Sequence, residues 1–152
     1  MHLYAAAVVK SLQSLARNHK GSCQNKSLAR LTAGFLAAFD TVLGGASIAR
    51  PDLVERFLGV DGGPGGRAMI RRTGVVWSAY AVANAIAAMR GRKRDWQVLA
   101  WMRAMEVPAD PLWVMATSKP VAKRGYAMLW TTPLWNMLFT AIFADAARRS
   151  SE

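Results

Sequence analysis

Three long stretches of this chain are almost free of charge. Residues 31–49 carry a single charged side chain, Asp40, and residues 73–89 and 126–144 carry none. The basic residues gather between these stretches. Arg71 and Arg72 precede the second, and Arg90, Arg92, Lys93 and Arg94 follow it. Lys123 and Arg124 precede the third, and Arg148 and Arg149 follow it. A helix half-buried in a soluble domain turns a polar face outward every third or fourth residue. Residues 73–89 offer little beyond Ser78 and Asn84. Apolar runs with basic flanks reach the lower edge of the roughly 17–25 residues that cross a bilayer. The expectation is therefore a set of membrane-embedded helices. A mean hydropathy of only +0.11 keeps a soluble helical bundle as the alternative.

Composition narrows the function classes. With 53% hydrophobic residues the chain is no disordered polymer, and 152 residues make one domain. One cysteine, Cys23, allows no disulfide framework, and the two histidines, His2 and His19, lie far from the apolar stretches. No HExxH, GxSxG or CxxC occurs, so no catalytic residue, metal or cofactor is expected. Residues 59–66, GVDGGPGG, read as a flexible connector, because no Gly-Lys-Ser/Thr follows to make a phosphate loop. The net charge of +11 comes from 20 Lys and Arg against 9 Asp and Glu. Because the bases flank apolar runs rather than line one polar face, the expected partner is anionic lipid and not nucleic acid.

The remaining segments are less regular. Residues 96–118 hold Arg103, Glu106 and Asp110 together with Pro108 and Pro111. Proline removes a backbone donor, so a helix to about residue 107, a break and a second short piece from Pro111 are expected. Arg103 and Glu106, three residues apart, are placed to pair on one helix face at headgroup level. Residues 1–30 contain no acid, and Tyr4, Val8, Leu12 and Leu15 line one face of a basic amphipathic helix. That composition also matches a mitochondrial presequence. The fold expected is all-α: an integral membrane bundle over 31–147 behind a basic arm over 1–30, with a short tail at 148–152. Its spans lie at about 31–49, 70–89, 96–118 (broken) and 126–146. Small residues every fourth position, at Ala33, Ala37, Thr41, Gly45 and Ala49 and at Ala79, Ala83 and Ala87, suggest close helix packing.

Three polar residues fall inside the spans: Asp40, Asn84 and Asn136. A carboxylate at mid-bilayer costs about 2.5–3.5 kcal/mol on the insertion scale, so Asp40 needs a partner. With Arg103 and Glu106, these three are the candidate intramembrane polar or lipophile contacts. Five Lys and Arg up to residue 30, four in 90–94 and two in the tail stand against five in 50–72 and three in 119–124. That excess places the N-terminus on the cytoplasmic or matrix side.

Arg50-Pro51, then Phe57-Leu58-Gly59, then Arg71-Arg72-Thr73-Gly74 ahead of a small-residue helix resemble the first half of small four-span proteins of the DoxX-like kind. The resemblance covers roughly residues 31–90. It implies a four-helix membrane bundle, in some members a subunit of a quinone-linked enzyme. The double proline at 108–111 departs from that pattern, and no functional residue is carried over.

The function these features suggest is a non-catalytic accessory subunit of a larger membrane complex, with an energy-converting, respiratory-type assembly as host. Its partners would be the other membrane subunits and anionic lipids. The mitochondrial inner membrane is the expected location, a bacterial plasma membrane the alternative. A second reading is a four-span protein that binds a lipophile such as a quinone or sterol near Asp40 and the broken helix. A membrane enzyme or transporter is third, because one acid and no inverted repeat are poor material for either.

Overall fold

The apolar stretches form long helices whose ends are set by local chemistry. A computed structural model describes residues 22–59, 63–116 and 123–150. Among them are five helices: α1 Ser22–Ala49, α2 Pro51–Leu58, α3 Gly63–Arg90, α4 Lys93–Ala116 and α5 Lys123–Arg149. There is no strand among the described residues, and the fold is all-α. Pro51 ends α1 and opens α2 as its first helical residue, where a missing N–H costs nothing. Gly59, at φ 68°, closes α2 in the left-handed region and sends its N–H to the Arg56 carbonyl. Gly91, at φ 62°, ends α3 in the same way with a bond to the Ala87 carbonyl of 2.8 Å. Asp95, in the first turn of α4, then accepts the Arg92 N–H, half of a capping box.

The long helices pack most densely in two antiparallel pairs, α1 with α3 and α4 with α5. The first pair meets through glycine. A Cβ placed on Gly44 would lie 2.9 Å from the Gly74 carbonyl oxygen, and one on Gly74 would lie 2.9 Å from the Gly44 carbonyl oxygen. The second pair is locked at one end by Trp96 stacked on Phe143, ring centres 5.9 Å apart. Around that stack Ala29, Ala33, Leu36, Ala87, Leu99, Ala146 and Ala147 complete an apolar core shared by all four long helices. The short α2 lies across the opposite end. Its Glu55 is buried and paired with Arg67 of α3 at 2.8 Å. Its exposed Asp52 is held below the usual carboxylate range by a hydrogen bond from Arg50, with Arg56 close by.

Several expectations change. The break at 107–111 does not occur: α4 runs continuously through Pro108 and Pro111. Each proline removes one rung of the helical ladder, at the carbonyls of Ala104 and Val107. The turns on either side keep theirs, so the helix continues. Glycines 63, 65 and 66, read as connector, are the first turn of α3, so that helix begins well before residue 70. Residues 22–30 belong to α1 and not to a separate arm. The amphipathic pattern over 3–17 lies outside the described residues.

The small-residue expectation holds in part: Ala33 and Ala87 are buried in the core and Ala83 packs against it, but the rest of each stripe turns away. The buried positions of α1 are Ala29, Ala33, Leu36, Asp40, Gly44 and Ser47, while Thr41, Gly45 and Ala49 are exposed. On α3 the buried positions are Gly74, Ala81, Asn84 and Ala87, and Ala79 is exposed.

The helices are 28, 28, 24 and 27 residues long for α1, α3, α4 and α5. At about 1.5 Å per residue each exceeds the ~30 Å hydrocarbon thickness of a bilayer. By hydropathy, one described helix is long and apolar enough to cross a membrane, over Ser27–Ala49, and only 28% of its most apolar window is buried. The other three are diluted by particular residues: arginines 67, 71 and 72 at the start of α3, Arg103 and Glu106 in α4, and the Trp, Thr, Pro and Asn content of α5.

Candidate functional site

Ionisable residues within apolar helices need partners, and three helices supply them here. Asp40 of α1 is 2% exposed. Its Oδ2 accepts a bond of 2.6 Å from Nη2 of Arg103 on α4 and one of 3.0 Å from Nδ2 of Asn84 on α3. Arg103 is itself buried, so the ion pair is closed to solvent. Its guanidinium also sits over the ring of Tyr80, 5.4 Å from the centroid. The Tyr80 hydroxyl, in turn, donates to Oε1 of Glu106 at 2.8 Å. The chain of contacts runs Asn84, Asp40, Arg103, Tyr80, Glu106 and joins α1, α3 and α4.

Local spacing explains how each helix presents its members. Tyr80 and Asn84 are four apart on α3, and Arg103 and Glu106 three apart on α4, so each pair shares a helix face. The two helix pairs touch each other far less than the helices within each pair do, and this polar group joins them together with the apolar core around Trp96 and Leu99. Burial makes it exacting. A carboxylate and a guanidinium taken out of water are tolerable only when paired and hydrogen-bonded. Both are. One buried side-chain atom among the described residues lacks a partner, Oδ1 of Asn84. Its amide is oriented by the donor it gives to Asp40, which leaves the acceptor facing away.

Of the five residues singled out from the sequence, four meet in this cluster: Asp40, Asn84, Arg103 and Glu106. The pair expected between Arg103 and Glu106 does not form. Arg103 turns inward to Asp40, and Glu106 takes the Tyr80 hydroxyl. A buried carboxylate across the helix interface offers the guanidinium a deeper, less hydrated partner than a half-exposed neighbour on its own helix. Asn136 is buried on α5, but it is not a partner of Asp40. Tyr80 was missed. Its position one turn before Asn84 was the available signal.

The arrangement suits holding helices together more than handling protons or ligands. Every charge in the cluster is engaged by a neighbour, and no cluster residue lines the groove found elsewhere, between α4 and α5. Among the described residues no group of three or more His, Cys, Asp and Glu could hold a metal ion. Tyr80→Phe removes the donor that Glu106 receives among the described residues and should lower stability by about 1–2 kcal/mol, at the low end for a bond to a charged group because both residues are half-buried. Thermal unfolding of the purified variant in mild detergent checks this. A melt identical to that of the parent would show that the hydroxyl contributes nothing.

Comparison of the chain with family models, with curated proteins and with solved structures finds no match in any of the three. The DoxX-like resemblance therefore remains an expectation of the sequence.

Proposed function

We propose that this chain is a four-span integral membrane protein that serves as a non-catalytic accessory subunit of a larger membrane assembly. The host is an energy-converting, respiratory-type complex, and the mitochondrial inner membrane is the location. One observation carries the membrane part of this reading: the side chains are sorted the opposite way from those of a soluble bundle. The largest fully buried side chains include Asn84, Asp40 and Ser47 beside Trp96, Phe143 and Leu99. Outside, α1 displays Leu28, Leu31, Phe35, Phe39 and Val42 along one stripe. On α3 the outward residues are Val75, Val82 and Met89, and on α4 they are Trp101, Met105 and Met115. On α5 Trp130, Leu134 and Trp135 do the same. Leu31 is 72% exposed and Trp101 71%.

Soluble monomers rarely expose a contiguous apolar patch beyond about 300–600 Å². Stripes of large apolar residues on four long helices, with ionisable groups turned inward and paired, are what a hydrocarbon solvent selects. The subunit part rests on what is left for the chain to act with. Its internal charges are consumed in the Asp40–Arg103 cluster, so contact with other molecules falls to its apolar flanks and its strongly basic ends. Those surfaces fit neighbouring membrane subunits and anionic headgroups.

Two measurements test the reading. After carbonate or high-salt washing the protein should stay in the membrane pellet, and release into the supernatant would mean a soluble basic domain. On native gels in mild detergent it should comigrate with a large complex. A chain that runs alone, near its own mass plus detergent, overturns the subunit role. In that case the second reading, a binder of a lipophile, gains ground. The α4–α5 groove favours it, at a different place from the Asp40 region expected from the sequence.

A further inference from the structure

The charges of the polar cluster do not cancel. Asp40 and Glu106 bring two carboxylates, and Arg103 brings one guanidinium. Arg103 is committed to Asp40. Glu106 receives a neutral donor, the Tyr80 hydroxyl, on Oε1. Its second oxygen, Oε2, is bonded to no described residue and is not enclosed, since Oδ1 of Asn84 is the one enclosed side-chain atom without a partner among the described residues. Glu106 lies thirteen residues from the start of α4 and ten from its end, about 20 Å and 15 Å at 1.5 Å per residue. On the membrane reading, a carboxylate at that depth is costly unless it is paired. Its surroundings are apolar and open. Tyr80 shares its face of α3 with Val76 and Ala83, and Glu106 shares its face of α4 with Met102 and Ala109. Val76 and Ala109 are exposed, and the other four are half-buried. The two polar side chains thus come to the surface in a seam of apolar and small residues.

We infer that the α3–α4 seam at Tyr80 and Glu106 is the docking site for a transmembrane helix of a different subunit, and that this helix carries a Lys or Arg that pairs with Oε2 of Glu106. The inference rests on the subunit reading above and gives that subunit a point of contact. Charge decides the occupant. Lipid does not fit, because acyl chains at mid-depth bring no donor and headgroup cations stay at the level of the helix ends. A second copy of this chain does not fit either. Its other cations lie toward the ends of the long helices, and Arg103, the one at this depth among the described residues, is buried against Asp40. Shape agrees with a helix as the occupant. Ala83 and Ala109 are small enough for a neighbouring backbone to come close to the carboxylate, and ionisable side chains within a membrane pair with one another.

The test expresses full-length variants in the native membrane and reads, on native gels in mild detergent, the fraction of the chain that comigrates with the large complex. Glu106→Gln keeps the shape of the side chain and an acceptor for the Tyr80 hydroxyl but removes the charge. It should weaken association about 30-fold, the low end for truncating one partner of a buried interfacial charge pair. Glu106→Asp keeps the charge and should retain most of the association. Ala109→Phe, at an exposed position, should also weaken association with Glu106 intact, by filling the seam. Each variant should melt alone in detergent as the parent does, which separates lost docking from lost folding. Full comigration of the Glu106→Gln chain overturns the inference, as does a Glu106→Asp chain that falls as far as Glu106→Gln. Comigration untouched by Ala109→Phe places the contact elsewhere and overturns it too, even where the Glu106 variants fail to fold. A parent chain that runs alone would instead defeat the subunit reading on which the site depends.

Discussion

Asp40→Ala is expected to destabilise the bundle by about 3–5 kcal/mol, the range for removing one partner of a buried ion pair. The loss does not come from the missing attraction alone. Arg103 stays behind, buried and charged, with no other carboxylate among the described residues bonded to it. Asn84 loses the acceptor for its Nδ2 and then has both ends of its amide unpartnered. Denaturant titration in detergent, followed by tryptophan fluorescence, gives the value. Removing the second charge as well, as Asp40→Ala with Arg103→Met, should restore most of the loss, because no ion is then left without a partner. If the single variant costs no more than Asp52→Ala, outside the cluster on α2, the cluster does not hold the helices together.

Gly74→Leu should have an effect at least as large, through contact and not charge. The first atom of the new side chain would already lie 2.8 Å from Cβ of Ser47 and 2.9 Å from the Gly44 carbonyl oxygen. Neither can move without α1 moving. Overpacking a well-filled core costs typically 1–3 kcal/mol even when side chains can rearrange. Here the obstacle is backbone, so a loss above about 3 kcal/mol is expected, together with separation of α1 from α3. A cross-link between cysteines placed on the two helices would report that separation. Gly45→Leu serves as the comparison, because nothing lies within 4 Å of a Cβ at that position. Equal effects at 44, 45 and 74 would rule out the close approach.

That difference between neighbouring glycines shows how far the sequence could be read. The apolar stretches located the long helices, and the basic residues marked the end of α3, the start of α4 and both ends of α5, but not the starts of α1 and α3. The rotation of each helix was not available in the same way. A strict every-fourth-residue stripe advances about 40° per step around a helix of 3.6 residues per turn. Starting from buried Ala33, the stripe therefore winds out to exposed Gly45 and Ala49. The true contact line through Ala29, Ala33, Leu36, Asp40, Gly44 and Ser47 mixes steps of four with steps of three and stays on one face. The polar residues of the cluster were legible one by one, because each is expensive in an apolar helix. Their pairing was not. Asp40 and Arg103 are 63 positions apart, and the shorter-range partner for Arg103, Glu106, was the natural choice from spacing alone. The prolines of α4 misled for the opposite reason: a strong local breaker was outweighed by a helix otherwise intact and packed along α5.

On the membrane reading proposed above, the cluster also sets an order of events during synthesis. A chain threaded into a bilayer from its N-terminus delivers Asp40 first, then Tyr80 and Asn84, and only then Arg103 with Glu106. When α4 leaves the insertion machinery, the carboxylate that neutralises its arginine is already waiting at matching depth. An arginine entering alone would cost about 2.5–3.5 kcal/mol on the insertion scale. The helix with the weakest case for entering a membrane by its own composition thus enters as the last piece of a template laid down by the two helices before it. Moved to the front of the chain by circular permutation, the same helix should be the first to fail.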